Sequence, residues 1–186
     1  MTGKVEIINM ALARLGESPI QSEEENTVPA TQAKLLYDPA RRAALRDYNW
    51  AFALKTATLA RLVDAPDGFR YAYALPADCL RVVRLLSANR AYAVRQGALC
   101  TNAEAVTIEY IFDAMDETFF DSKFIEAFSY RLASDLAMPV KGSTELMGAY
   151  SNMYQDMLKR AAMESLGESR TPESCNPYLE ERYGGY

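Results

Sequence analysis

Trp50-Ala51-Phe52-Ala53-Leu54-Lys55-Thr56 is the stretch where the hydrophobic pattern changes period. Trp50, Phe52 and Leu54 alternate with Ala51, Ala53 and Lys55, the two-residue repeat of a half-buried strand. Everything before it repeats with helical spacing. Val5, Ile8, Ala11, Leu12 and Leu15 define a first amphipathic helix over residues 3–15, with Gly16 placed as its C-terminal cap. Residues 17–26 hold Pro19 and three consecutive glutamates and read as a solvated loop. Thr27 and Pro29 then open a second helix that buries Ala33, Leu36, Tyr37, Ala40, Ala44, Leu45 and Tyr48. Pro39 inside it predicts a kink or a break near Asp38, because proline removes a hydrogen bond and clashes with the preceding turn.

Downstream of Trp50 the pattern predicts five or six short strands. A turn at Pro66-Asp67-Gly68 leads to an extended stretch over 69–75, and a turn over 76–79 leads to a strand over 80–86. Strands over 92–95 and 98–101 flank Gln96-Gly97 as a hairpin, and 106–112 closes a small antiparallel sheet or sandwich. Helical spacing returns at Asp121, an N-cap, with Phe124, Ile125, Phe128, Leu132 and Leu136 on one face before Pro139 and Gly142 stop the helix. A last helix from about 143 to 167 carries Leu146, Met147, Tyr150, Tyr154, Met157, Leu158 and Ala161. The expected class is α+β: a four-helix bundle with an inserted small antiparallel β domain and an extended C-terminal tail. Its divisions are 1–49 and 118–166 for the two halves of the bundle, 50–117 for the β domain and 167–186 for the tail. There is no internal repeat and no low-complexity segment.

The 186 residues are 49% hydrophobic and 24% charged, enough for a core that needs neither disulfide nor structural metal. Twenty Lys and Arg against 25 Asp and Glu leave a net charge of −5, which argues against a dedicated non-specific binder of DNA or anionic membrane. The absence of histidine excludes the Ser-His-Asp triad, the Cys-His dyad and every His-containing zinc site. Cys79, Cys100 and Cys175 are widely spaced and odd in number, so free thiols made in a reducing cytosol are expected. Neither a signal-peptide core nor a run of roughly 18 apolar residues is found, which predicts no export by that route and no membrane span.

Four groups of residues have a functional reading beside a structural one. Asp113, Asp116, Glu117 and Asp121 crowd the entry to the third helix and could bind Ca²⁺ or Mg²⁺ or act as an acid and base pair. Their spacing matches no EF-hand or glycosidase signature, and a solvated junction with a helix cap is the better account. Arg81, Arg84, Arg90 and Arg95 make the β section locally basic; they could meet DNA phosphates in a channel, or simply alternate with apolar residues on a one-sided sheet. Cys79 reads as a packed thiol. Tyr178, Leu179, Tyr183 and Tyr186 lie on a tail too short to bury them, which suits a segment that orders against another chain, or else a frayed terminus.

Asp47-Tyr48-Asn49-Trp50-Ala51-Phe52-Ala53-Leu54 and Tyr71-Ala72-Tyr73-Ala74-Leu75-Pro76-Ala77-Asp78-Cys79-Leu80-Arg81-Val82 resemble the tail tubular protein A family of short-tailed bacteriophages and related prophages. Ile8-Asn9-Met10-Ala11-Leu12-Ala13-Arg14-Leu15-Gly16 and the helix over 121–138 are similar to it as well, so the likeness spans about residues 5–165. The family consists of head-to-tail adaptors. The resemblance implies a helical bundle with an inserted β domain, assembled as a cyclic ring usually of about twelve subunits. It further implies docking on a portal protein, contact with copies of itself and with a tail nozzle protein, and transient non-specific contact with DNA. The implied location is the head-tail junction of the virion, and the host cytoplasm during assembly. Catalytic residues, cofactor, metal and membrane contact are not expected. The alternatives are a carboxylate-dependent cell-wall hydrolase using the four acidic residues, or a bacterial protein-binding module whose tail recognises a partner.

Overall fold

The computed structural model describes residues 3–66, 68–86 and 91–168, with side chains described as far as Met163. Four helices and six strands follow in the order α1 (Lys4–Arg14), α2 (Val28–Asp47), β1 (Leu54–Thr58), β2 (Tyr71–Ala74), β3 (Cys79–Leu85), β4 (Tyr92–Arg95), β5 (Ala98–Thr101), β6 (Thr107–Phe112), α3 (Ser122–Lys141) and α4 (Thr144–Glu168). The class is α+β, with helices on either side of the β section in sequence.

Local chemistry explains the helix ends. At α1 the Glu6 carboxylate accepts the Gly3 N–H, and Gly16, at φ +68°, turns the chain out after the last turn. The Thr27 hydroxyl accepts the Ala30 N–H to start α2, and the Asp121 carboxylate accepts the Phe124 N–H at 2.7 Å to start α3. Gly142, at φ +64°, ends α3. Of the kink or break expected at Pro39 the break is absent, since α2 runs through it; α3 ends at Lys141, two residues past Pro139, with Gly142 as the cap that the sequence predicts. Both prolines are exposed, so the carbonyl four residues earlier stays within reach of water and the lost hydrogen bond is cheap.

One core gathers residues from all four helices. Ile7, Ile8, Ala11 and Leu12 of α1, Ala33, Tyr37, Ala44 and Leu45 of α2, Phe124, Phe128, Leu132 and Leu136 of α3 and Tyr154 of α4 belong to it. Helix α3 touches the other three and is the most deeply buried. Helix α4 lies more on the surface: of its expected face only Tyr154 is fully buried, while Leu146, Tyr150, Met157 and Leu158 are half-buried and Met147 is exposed.

Six strands form two antiparallel sheets of three, in the orders β1-β6-β3 and β2-β5-β4. The β4–β5 hairpin turns at Gln96-Gly97, both with positive φ (50° and 76°), as the sequence predicts. β6 divides its side chains by parity. Ile111 enters the helical core, whereas Ile108 and Tyr110 face a second core with Leu59, Tyr73, Leu99 and Val106. The first sheet is therefore covered by the helices on one side and by the second sheet on the other.

The expectation of a strand beginning at Trp50 is corrected. Ala51–Ala53 is a single 3₁₀ turn, and the strand starts at Leu54. Trp50 is buried in the helical core, its indole N–H donates to the Ala44 carbonyl, and Phe52 packs edge-on against Phe124. The alternation of Trp50 and Phe52 is thus produced by burial against α3 rather than by a pleated strand.

Candidate functional site

Residues 47–54 and 78–82 of the two motif stretches lie where the helices meet the first sheet, whereas Tyr71–Ala74 is strand β2 of the second sheet. Asp47, at the end of α2, accepts hydrogen bonds from the Tyr154 hydroxyl at 2.8 Å and from Arg131. The Tyr48 hydroxyl donates to the Ala161 carbonyl, and Asn49 accepts from Arg81 of β3. Four consecutive residues, Asp47 to Trp50, therefore tie α2 to α3, α4 and β3. In the second motif Asp78 receives Lys55 of β1 and the Tyr110 hydroxyl of β6 on its carboxylate, and its carbonyl accepts the Asp113 N–H. Burial first, then the adjacent Asp78 carboxylate, pushes the Tyr110 phenol up to about 12. Tyr154 is raised as well, through burial and then Asp47. These motifs carry architecture.

The four clustered carboxylates are each occupied by a structural partner. Asp113 is almost buried and pairs with the buried Arg41 guanidinium at 2.5 Å and with Arg42 at 2.9 Å. Arg41 also donates to the Ala114 carbonyl and to Asp38. Asp116 accepts the Thr118 N–H and hydroxyl, and that hydroxyl, more than the N–H, holds its carboxyl below the usual range. Glu117 accepts the buried Tyr37 hydroxyl at 3.1 Å, and Asp121 caps α3. Among the described residues no group of three acidic or cysteine side chains is arranged to hold a metal ion. The geometry favours the junction-and-cap account over the ion site or acid and base pair.

The arginines are divided between elements. Arg81 and Arg84 lie on β3 in the first sheet; Arg95 lies on β4 in the second. Arg81 is half-buried against Asn49, and its Nε has no partner. Arg84 pairs with Glu109 at 2.9 Å, and Arg95 sits 5.4 Å from the centre of the Phe69 ring. Arg90 lies outside the described residues, as do Tyr178, Leu179, Tyr183 and Tyr186 and the third cysteine, Cys175. Cys79 and Cys100 are free thiols; burial, more than the neighbouring Asp78, raises that of Cys79.

Two features escape the sequence reading. Arg41 lies on the buried stripe of α2 defined by Tyr37, Ala40, Ala44 and Leu45, but its charge argued for the surface. Met115 and Phe119, set among the acidic residues of the junction, are 64% and 65% exposed. They flank an apolar groove of about 650 Å³ floored by Phe52, Leu54 and Phe112. The signal was present in sequence as two large apolar side chains in an otherwise polar junction. Among the described residues no helix is long and apolar enough to cross a membrane. Compared with known proteins, the chain matches no family model and no curated protein.

Proposed function

We propose that the chain is a head-to-tail adaptor of a phage or prophage, a structural subunit that forms a ring on the portal protein and extends the DNA channel to the tail nozzle. The observation that carries this reading is the role of the motif residues. Asp47, Tyr48, Asn49, Trp50 and Asp78, which belong to the stretches that resemble the family, tie helices and sheet together through hydrogen bonds. In this reading the four helices are a bundle, 50–117 is its inserted β domain, and the segment after α4 is an extended tail with Tyr178, Leu179, Tyr183 and Tyr186 as anchors for the portal or a neighbouring subunit. Arg81, Arg84, Arg90 and Arg95 are the candidate contacts to DNA phosphates.

A ring needs no strong pairwise contact. Each subunit binds its neighbours weakly, and closure or a portal template raises the effective concentration of the next contact. The test is co-purification of the full chain with the portal protein encoded in the same genome. Capture by the wild-type chain, reduced in the variant Tyr178→Ser/Leu179→Ser/Tyr183→Ser/Tyr186→Ser, supports the proposal; no capture by the wild type overturns it.

A further inference from the structure

The groove beside Met115 and Phe119 is an apolar opening at the helix–sheet junction. Its position relative to the chain's path is informative. Helix α4 runs back toward the start of α3: the Ser134 hydroxyl donates to the Met147 carbonyl near one end, while Met157, Arg160 and Ala161 lie with Trp50, Lys123 and Glu126 around a small cavity at the other. Two more turns bring the helix to Glu168. The chain is thus delivered to the end of the molecule where α3 begins, and Phe119 stands three residues before Ser122.

Eighteen residues follow Glu168, a reach of up to about 60 Å when extended. Among them Tyr178, Leu179, Tyr183 and Tyr186 are the large apolar or aromatic groups, with Glu180, Glu181 and Arg182 between them. The groove offers these apolar groups Phe52, Leu54, Phe112, Met115 and Phe119, with Lys55 and three carboxylates, Asp78, Asp113 and Asp116, also lining it. From these observations we infer that the groove is the seat of the chain's own C-terminal segment, residues 176–186, folded back within the same molecule. A short tether gives such a segment an effective concentration in the millimolar range, well above that of a second copy in solution. Docked there, the segment covers Met115 and Phe119 in the free chain and must leave the groove before its aromatic groups can engage a partner. This inference concerns the free chain alone and does not rest on the adaptor reading.

Hydrogen exchange on the full chain tests it, with the backbone amides of residues 115–120 and of 178–186 as readouts. The expected result is that Tyr178→Ser/Leu179→Ser/Tyr183→Ser speeds exchange at 115–120, and that Phe119→Ser speeds exchange at 178–186. Each change should be on the order of tenfold for a weak contact held at millimolar effective concentration. Phe119 is exposed, so its replacement leaves the core intact, and the reciprocal pair keeps the test sound if either variant is poorly behaved. Unchanged exchange in both variants overturns the inference. So does protection that grows with protein concentration alongside a doubled mass, which would make the occupant a second copy.

Discussion

Replacing Asp113 by alanine should be among the most damaging single substitutions at the helix–sheet junction, and the reason is the cation it leaves behind. Arg41 is 2% exposed, and Asp113 is its only buried anionic partner among the described residues. Without that carboxylate the guanidinium keeps the Ala114 carbonyl and Asp38, whose side chain is 62% exposed. Breaking a buried pair in this way costs about 3–5 kcal/mol, because the surviving charge is unsolvated and keeps only the exposed Asp38 carboxylate, at 3.3 Å, as a counter-ion. The opposite substitution, Arg41→Met, is milder. It removes the buried charge, fills similar volume, and leaves Asp113 paired with Arg42, so about 1–3 kcal/mol is expected. The double variant should therefore be more stable than Asp113→Ala alone. Urea unfolding followed by fluorescence of Trp50, the single tryptophan, reads this directly. With a slope of about 2 kcal/mol/M, Asp113→Ala lowers the midpoint by roughly 1.5–2.5 M. A loss below about 1 kcal/mol, or a double variant as unstable as the sum of the two singles, would refute the reasoning.

Alkaline pH should weaken the fold through its buried tyrosines. The Tyr110 phenol is raised from about 10 to about 12, so its stabilising contribution is complete below pH 10 and is lost as pH rises through 12. Tyr37 and Tyr154 are shifted in the same direction and add to the effect. Tyr110→Phe should flatten the fall of the urea midpoint over that window; an unchanged slope would count against the assignment. Gly142→Ala should cost about 1–2 kcal/mol by thermal or urea unfolding, since φ is +64° there while a Cβ would meet nothing within 4 Å. In the β4–β5 turn, Gln96→Asn should raise stability by up to about 1 kcal/mol, because asparagine tolerates the positive φ that glutamine now adopts. A lower melting temperature in that variant would contradict the turn geometry.

Local signals in the sequence proved legible where one short stretch decides the outcome. Gln96-Gly97 marks its hairpin, Asp121 its cap, and Gly16 and Gly142 their helix ends, since each effect acts over a few residues. Errors arose where tertiary burial overrides a local rule. Pro39 sits on the solvent-facing side of a helix that packing holds together, and Trp50 and Phe52 alternate because α3 lies against both. The pairing of β1 with β6, which begins 53 residues later, and the division into two sheets depend on contacts that no local period encodes. At the acidic junction Asp121 caps α3 as its position predicts, whereas Asp113 is almost buried against Arg41 instead of solvated. Its buried partner Arg41 was missed because a hydrophobic-stripe reading passes over a charged residue, even one at the right position on the stripe.

The adaptor proposal is tested most directly by the mass of what forms when the purified chain meets the portal protein from the same genome. Light scattering should report a single small species for the chain alone and a discrete ring complex of fixed stoichiometry after mixing. A mixture whose masses remain those of its separate components would contradict the proposal.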